Sequence, residues 1–248
     1  MVFTQGGGIG SDPEVNSLTT SESVTVTDGE KDNTLHYGGG QDRQNAKPRT
    51  VAIGIDSRAT VQNGVAIGHQ AAQFADGNRG TLVGRQAGQT SSGANVTAVG
   101  KSAAQNNSND RVSGLGIGAA RENTGSKVVT MGVQPALKNT GNSVIAFGDE
   151  TARLNTGNRC VFIGDNAARG GGLSDVSTMG DDNIGIGQSA LRNNQASGLI
   201  AIGQQAGNTA TTDDQLIITD RNGTRRMVMD LTNGDLKIDG SLTQNATL

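Results

Sequence analysis

An all-β fold, a parallel β-roll or solenoid of about ten stacked coils, is what this sequence predicts, and three observations carry the expectation. A short phrase, Val-Ala-Ile-Gly or a close variant followed within four residues by Ala, recurs about ten times between Thr50 and Asp214, mostly at a spacing of 16 residues. Its copies end at Gly54, Gly68, Gly84, Gly100, Gly118, Gly132, Gly148, Gly164, Gly187 and Gly203. Repetition at a fixed period means stacked supersecondary units, none of which buries its apolar face alone. Within each phrase the period is two: Val65 and Ile67 face one way, Ala66 and Gly68 the other, so each phrase is a short strand with one bulky and one nearly bare face. Between the phrases stand turn formers: Asp76-Gly77-Asn78, Asn123-Thr124-Gly125, Asn139-Thr140-Gly141-Asn142 and Asn155-Thr156-Gly157-Asn158.

The chain divides into three zones. Residues 1–49 are polar and Gly-rich, with one strand expected at Ser23-Val24-Thr25-Val26-Thr27 and a second at Thr34-Leu35-His36-Tyr37, the latter broken by Gly38-Gly39-Gly40. This zone reads as a small cap or docking segment. Residues 50–214 are the repeat array, each 16-residue coil consisting of two short parallel arms, the phrase and a second half-repeat such as Gln70-Ala71-Ala72-Gln73. Residues 215–248 change character: two Asn-Gly pairs, Asn222-Gly223 and Asn233-Gly234, separate three alternating apolar runs, which predicts a three-stranded meander. Three short strands are too few to be stable alone, so the meander is expected to close against copies of itself.

The period slips twice. Gly100 to Gly118 exceeds the 16-residue period by two residues and carries Asn106-Asn107-Ser108-Asn109-Asp110-Arg111; Gly164 to Gly187 exceeds it by seven and carries Gly170-Gly171-Gly172-Leu173-Ser174-Asp175. Met179-Gly180 keeps the 16-residue phase, so the pattern equally allows the extra residues to fall between Asp181 and Gly187. Insertions in repeat proteins map to surface loops and often carry recognition, which makes Asp110, Arg111, Asp175, Asp181 and Asp182 the candidate receptor-facing residues.

Composition narrows the class. Only 33% of the 248 residues are hydrophobic and 2% aromatic, with no Trp and 38 Gly, too little to fill an ordinary globular core. Small residues on one strand face let backbones approach closely, while the bulky face can meet a neighbour; the pattern alone leaves open which face makes which contact. Either way too much apolar edge remains for a monomer, and a symmetric oligomer closes it. The formal net charge of -3 is spread along the chain, with no Lys/Arg block longer than Arg225-Arg226, so no nucleic-acid partner is expected. No apolar run approaches the length of a membrane span, and the start Met1-Val2-Phe3-Thr4 lacks the basic and apolar regions of a signal peptide. Neither membrane insertion nor signal-driven export is expected.

The Val-Ala-Ile-Gly-x-x-Ala phrase with its Asn-Thr-Gly-Asn turns resembles the YadA-like head repeat of trimeric autotransporter adhesins and the related repeats of phage tail fibres, over residues 50–214. The resemblance implies a left-handed parallel β-roll with three chains side by side. Autotransporters also carry a signal peptide, a heptad stalk and a C-terminal membrane anchor, none of which this sequence shows. Its ending, Asn233-Gly234-Asp235-Leu236-Lys237-Ile238-Asp239-Gly240-Ser241-Leu242, looks like a segment that recurs in phage tail fibres, where it tends to precede a terminal domain or chaperone; with the sequence stopping at Leu248, no such domain is expected.

Reactive chemistry is scarce. Gly6-Gly7-Gly8-Ile9-Gly10, Gly114-Leu115-Gly116-Ile117-Gly118 and Gly185-Ile186-Gly187 resemble nucleotide loops only superficially, because no helix follows to meet a phosphate. Asp175, Asp181 and Asp182 with Gly170, Gly171 and Gly172 resemble a calcium loop that binds by repeating, yet occur once, so they read as solvated loop carboxylates. With Asp149, Glu150 and Asp165 they are the only candidates for a glycosidase pair, and aromatic residues to platform a sugar are nearly lacking. His36 and His69 lack local metal-ligand partners, and the single Cys160 reads as small apolar packing. No cofactor, metal or catalytic residue is expected, and the protein is not expected to be an enzyme. The expectation is therefore a structural and adhesive homotrimeric phage tail fibre: residues 1–49 docking to the baseplate or another tail protein, 50–214 a rigid rod, 215–248 a tip, with a host surface receptor as partner. Such a protein resides in the virion and is extracellular after release. The alternatives are the head of a bacterial trimeric adhesin and a polysaccharide depolymerase spike.

Overall fold

The computed structural model describes residues 35–37, 50–57, 63–76, 79–170 and 179–239. Among these the chain is all-β, with no helix, and its fourteen strands form one sheet in chain order. They are β1 (Leu35–Tyr37), β2 (Val51–Ile53), β3 (Val65–Ile67), β4 (Thr81–Val83), β5 (Thr97–Val99), β6 (Val112–Leu115), β7 (Val128–Met131), β8 (Val144–Phe147), β9 (Cys160–Ile163), β10 (Ile184–Ile186), β11 (Ile200–Ile202), β12 (Gln215–Thr219), β13 (Arg225–Asp230) and β14 (Leu236–Ile238). From β1 to β12 every neighbour is parallel, one strand per coil, which is a β-solenoid. The strand expected at Ser23-Val24-Thr25-Val26-Thr27 lies outside the described residues. The second one forms as β1 and pairs with β2, so the stack begins ahead of residue 50.

Register fixes the coil lengths. Leu35 pairs with Val51 and Thr81 with Thr97, steps of 16; Val51 pairs with Val65, a step of 14; Val161 pairs with Ile184, a step of 23. The expected slip before Gly118 does not occur. Leu115 pairs with both Val99 and Met131, so the repeat glycine of that coil is Gly116, at the same φ of 124° as Gly54 and Gly164, while Gly118 lies two residues further on at 62°. Ile117-Gly118 mimics the end of the phrase, but hydrogen bonding aligns Gly114 with Ala98 and Thr130 in the coil interior. Residues 106–111 are therefore an ordinary turn, not an insertion. The longer slip is real. Gly170 still bonds back to Arg153, and Met179 already bonds to Thr156, so the seven extra residues lie between Gly170 and Met179, and Met179-Gly180 occupies the position of Thr156-Gly157.

The second arm is not a strand. After each repeat glycine, alternate residues take left-handed backbone, as in Gln86, Gly88 and Thr90 at φ of 60°, 61° and 56°. Left-handed backbone costs a non-glycine residue on the order of 1 kcal/mol. Here it points successive N–H groups in opposite directions along the stack: Gln86 donates to His69 of the coil before, Gly88 to Ala103 of the coil after, Thr90 to Gln73 of the coil before. Each coil is thus laddered to its neighbours on both arms, which satisfies the backbone groups that burial would otherwise leave unpaired.

The bare strand face is the interior. Ala52, Ala66, Ala98, Ala146 and Ala201 from the strands meet Ala71, Ala87, Ala103, Ala104 and Ala120 from the turn arm, all of them buried. Larger interior residues are matched by glycine: a Cβ on Gly88 would sit 2.5 Å from Leu82 Cδ1, and one on Gly185 would sit 2.9 Å from Leu191 Cδ1. At the end of the turn arm Asn107, Asn123, Asn139 and Asn155 are fully buried and form a ladder. Each Nδ2 from Asn123 onward donates to the Oδ1 of the Asn one coil earlier, at 2.8–2.9 Å, and to the carbonyl two residues ahead of itself.

The predicted meander forms with its turns at Asn222-Gly223 and Asn233-Gly234, where both glycines are left-handed. It is not a separate tip: β12 is the last parallel rung, paired with β11 on one side and antiparallel with β13 on the other.

Candidate binding surface

Closing the coil around its alanines turns the bulky strand face outward. One column runs through Val129, Ile145, Val161, Ile184 and Ile200, a second through Ile67, Val83, Val99, Leu115, Met131, Phe147, Ile163, Ile186 and Ile202. Most are a third to a half exposed; Ile145 is at 37% and Ile202 at 40%. The first column is polar at Thr81, Thr97 and Ser113. Both columns continue across the meander, because Leu216 pairs with Met229 and Met229 with Leu236, while Ile218 pairs with Met227 and Met227 with Ile238. Their intervening partner Ile217 is buried and Val228 packs against the core, so the inward position is kept as far as β13, while all of β14 is exposed. The result is one apolar stripe, two side chains wide, along the sheet.

Beside the strands runs a second ladder, of exposed and half-exposed side-chain oxygens. Asp110 accepts from the backbone N–H of Ala94, Asn142 from Ser126, Asn158 from Asn142, Asp181 from Asn158 and Asp213 from Ser197, each at 2.8–2.9 Å. Two of the sequence-predicted site residues belong to it. Asp110 and Asp181 are two of its rungs, whereas Arg111 is exposed on the neighbouring strand-leading corner, its backbone N–H donating to the Ala94 carbonyl. Asp175 lies outside the described residues. Asp181 and Asp182, expected in the protruding loop, lie instead in the regular coil that follows the insertion. There Arg159 of the preceding coil reaches Asp182 Oδ1 through Nε at 2.6 Å and Oδ2 through a second nitrogen at 2.7 Å, with Asp181 Oδ2 at 3.4 Å. The bidentate pair holds the Asp182 carboxyl below its ordinary pKa. These two aspartates clamp the coils on either side of the insertion and are not free loop carboxylates.

The remaining candidates are dispersed. Asp149 and Asp165 sit on successive coils, each with Oδ1 bonded to backbone N–H, of Val133 and Asp149 respectively. Glu150 lies between Arg153 and Arg169, at 3.2 and 2.7 Å. Cys160 is buried in β9, and burial pushes its thiol up to about 11, the state of an inert packing residue. Among the described residues no group of three or more His, Cys, Asp or Glu side chains converges on a point that would hold a metal, and no helix is long and apolar enough to cross a membrane.

Sequence reasoning missed the clamp at Arg159, whose signal was a 23-residue step, and a column of cations on the turn arm: Arg121, then Arg153, Arg169 and Arg192. Comparison of the chain with protein-family models, with curated proteins and with solved structures finds no match.

Proposed function

We propose that the chain is the subunit of a rigid attachment fibre of the phage-tail type, in which three copies lie side by side, parallel and in register, with the apolar stripes turned toward the common axis. The observation that supports this reading is the stripe itself. A closed coil that has already buried its alanines has no internal use for two columns of Val, Ile, Leu, Met and Phe, and exposed apolar surface of this extent marks an interaction site. Its polarity profile favours a parallel arrangement. Antiparallel pairing about the middle of the sheet would set Thr81, Thr97 and Ser113 against Ile200, Ile184 and Val161, burying hydroxyls on apolar partners; parallel pairing sets like against like. Twelve parallel rungs at about 4.8 Å give a rod on the order of 50 Å, stiff because both arms are laddered. Three copies of each weak surface contact then gain avidity from one scaffold. In this reading residues 1–49 dock to the tail, the rod binds a host surface without cleaving it, and the protein resides in the virion.

Two measurements test the reading. Light scattering is expected to give three times the 25.2 kDa chain mass; a folded monomer at working concentration refutes the assembly. Antibody labelling under the electron microscope is expected to place the protein on a phage tail, and labelling confined to a cell envelope refutes the tail assignment.

A further inference from the structure

The turn arm of the later coils carries a band of cations. Backbone bonds from Lys138 to Arg121, Leu154 to Leu137, Gly170 to Arg153 and Asn193 to Arg169 place Arg121, Leu137, Arg153, Arg169 and Arg192 on successive rungs of one column. In the earlier coils the same column holds Gln73, Gln89 and Gln105, joined amide to amide at 2.7 Å. Among the described residues two carboxylates serve four of the five cations Arg121, Lys138, Arg153, Arg169 and Arg192. Glu122 is shared by Arg121 and Lys138 at 3.0 and 3.5 Å, and Glu150 is shared by Arg153 and Arg169. Arg192 is exposed and has no ion pair among the described residues. Asp149 and Asp165 in these coils sit at the corner toward the strands, each with one carboxylate oxygen on a backbone N–H.

We propose that this arginine column is a binding track for an anionic polysaccharide, which lies along the rod with its acidic groups facing successive rungs. The proposal rests on the attachment reading and names the chemistry of its partner. A carboxylate held between two cations leaves positive charge over, and the guanidinium groups keep planar N–H donors toward solvent, side chains of Arg121 and Arg169 being 39% and 34% exposed. Arg153, Arg169 and Arg192 stand on three successive rungs about 4.8 Å apart, with Arg121 two rungs before Arg153 across Leu137, a spacing that suits an extended polymer carrying repeated anionic groups. What separates this partner from a single-stranded nucleic acid is that recognition through carboxylate or sulfate groups needs only the guanidinium donors, whereas the 2% aromatic content supplies no platform on which bases stack.

The test uses the full-length protein and immobilised alginate, heparin, neutral dextran and single-stranded DNA. Binding to alginate or heparin and not to dextran is expected, weakening as salt rises from about 50 to 300 mM. The R153Q/R169Q/R192Q variant is expected to lose about tenfold or more in affinity, and R192Q alone, which breaks no ion pair among the described residues, about threefold with an unchanged melting temperature. The control R111Q/K127Q, on the strand-leading corner, is expected to stay within about twofold of the parent. Absence of binding to both acidic polymers at low salt, an equal loss in the control, or tighter binding to DNA overturns the proposal. Host-cell attachment distinguishes the two levels: if the parent protein attaches and the column variants attach equally well, the track is wrong and the attachment reading stands, whereas a parent that attaches to no cell removes the attachment reading itself.

Discussion

Phe162 and Gly185 are register partners on adjacent strands, and each accounts for the other: the phenyl ring is fully buried in a column of mostly small residues, and a Cβ on Gly185 would lie 3.4 Å from its Cδ1. Gly185 is therefore in the interior to leave volume for Phe162 on one side and Leu191 on the other. Gly185→Ala is expected to destabilise by about 1–3 kcal/mol through overpacking, and Phe162→Ala by about 3–5 kcal/mol through the cavity it leaves. Because the two sites share one volume, the double variant should lose less than the sum of the single losses. Chemical-denaturant unfolding of the four proteins measures the coupling, and strict additivity would contradict the pairing.

Asn139 and Asn142 look interchangeable in the Asn-Thr-Gly-Asn turn, yet the first is buried in the ladder and the second is exposed. Asn139→Ala strands the carbonyl of Gly141 and an N–H of Asn155 and leaves the Oδ1 of Asn123 with the N–H of Gly125 at 3.3 Å. Each orphaned buried group costs about 1–3 kcal/mol. Asn142→Ala removes a bond to the N–H of Ser126, which water can replace, so its cost is expected below about 1 kcal/mol. Thermal melts of the two variants should differ clearly in that order; equal midpoints would count against the ladder.

The contrast between those two asparagines shows where the sequence was legible. The repeat spacing and the period of two inside Val65-Ala66-Ile67 forecast the stack, since one backbone geometry imposes them on every coil. Which face turned inward was not readable, because a narrow roll needs small residues inside while an ordinary strand buries its large ones, and only the path of the turn arm decides. Gly116 was misassigned in favour of Gly118 because glycine serves two roles two residues apart, the repeat corner and a left-handed turn position. Asp181 and Asp182 were misplaced for a related reason: the accidental 16-residue phase of Met179-Gly180 hid their pairing with Arg159 across the insertion. Arg121, Arg153 and Arg169 keep the 16-residue spacing, but Leu137 interrupts it and the insertion moves Arg192 to a 23-residue step, so the arginine column became visible only once the rungs were aligned.

Acid should act on the C-terminal turns. Asp220 lies below the ordinary carboxylate pKa because Arg226 bonds its side chain and the N–H groups of Asn222 and Thr224 donate to it; Asp230 is lowered by the Thr232 hydroxyl and by backbone N–H of Thr232 and Asn233. A depressed folded-state pKa means that the unfolded chain takes up protons first as pH falls. The contribution of both turns is thus fully present above the unfolded carboxylate value of about 3.9 and is lost below it as pH drops through the folded value. Unfolding midpoints measured from about pH 7 to pH 2 should stay level and then fall below about pH 4. Asp220→Asn is expected to start lower at neutral pH and to converge on the parent in acid; parallel curves would rule out the linkage.

The stripe makes the most direct prediction about assembly. Ile145 and Ile186 lie in its two columns at 37% and 38% exposure, and neither contributes to the coil interior, which is occupied at those rungs by Ala146 and Gly185. Ile145→Asp and Ile186→Asp therefore leave the solenoid's own packing in place while setting a charge on the face that we assign to the partner chains. An unpaired carboxylate in an apolar interface costs several kcal/mol, and an in-register trimer would bring three of them together at one level of the axis. The double variant is expected to keep the circular dichroism of the parent and to scatter light as a monomer. Loss of β signal together with loss of assembly would mean that the rod cannot fold alone, in which case Ile145→Ala with Ile186→Ala, which removes area without adding charge, should give a trimer that dissociates at higher concentration than the parent. A parent-like mass for both double variants, with β structure intact, would show that the copies do not meet on this face.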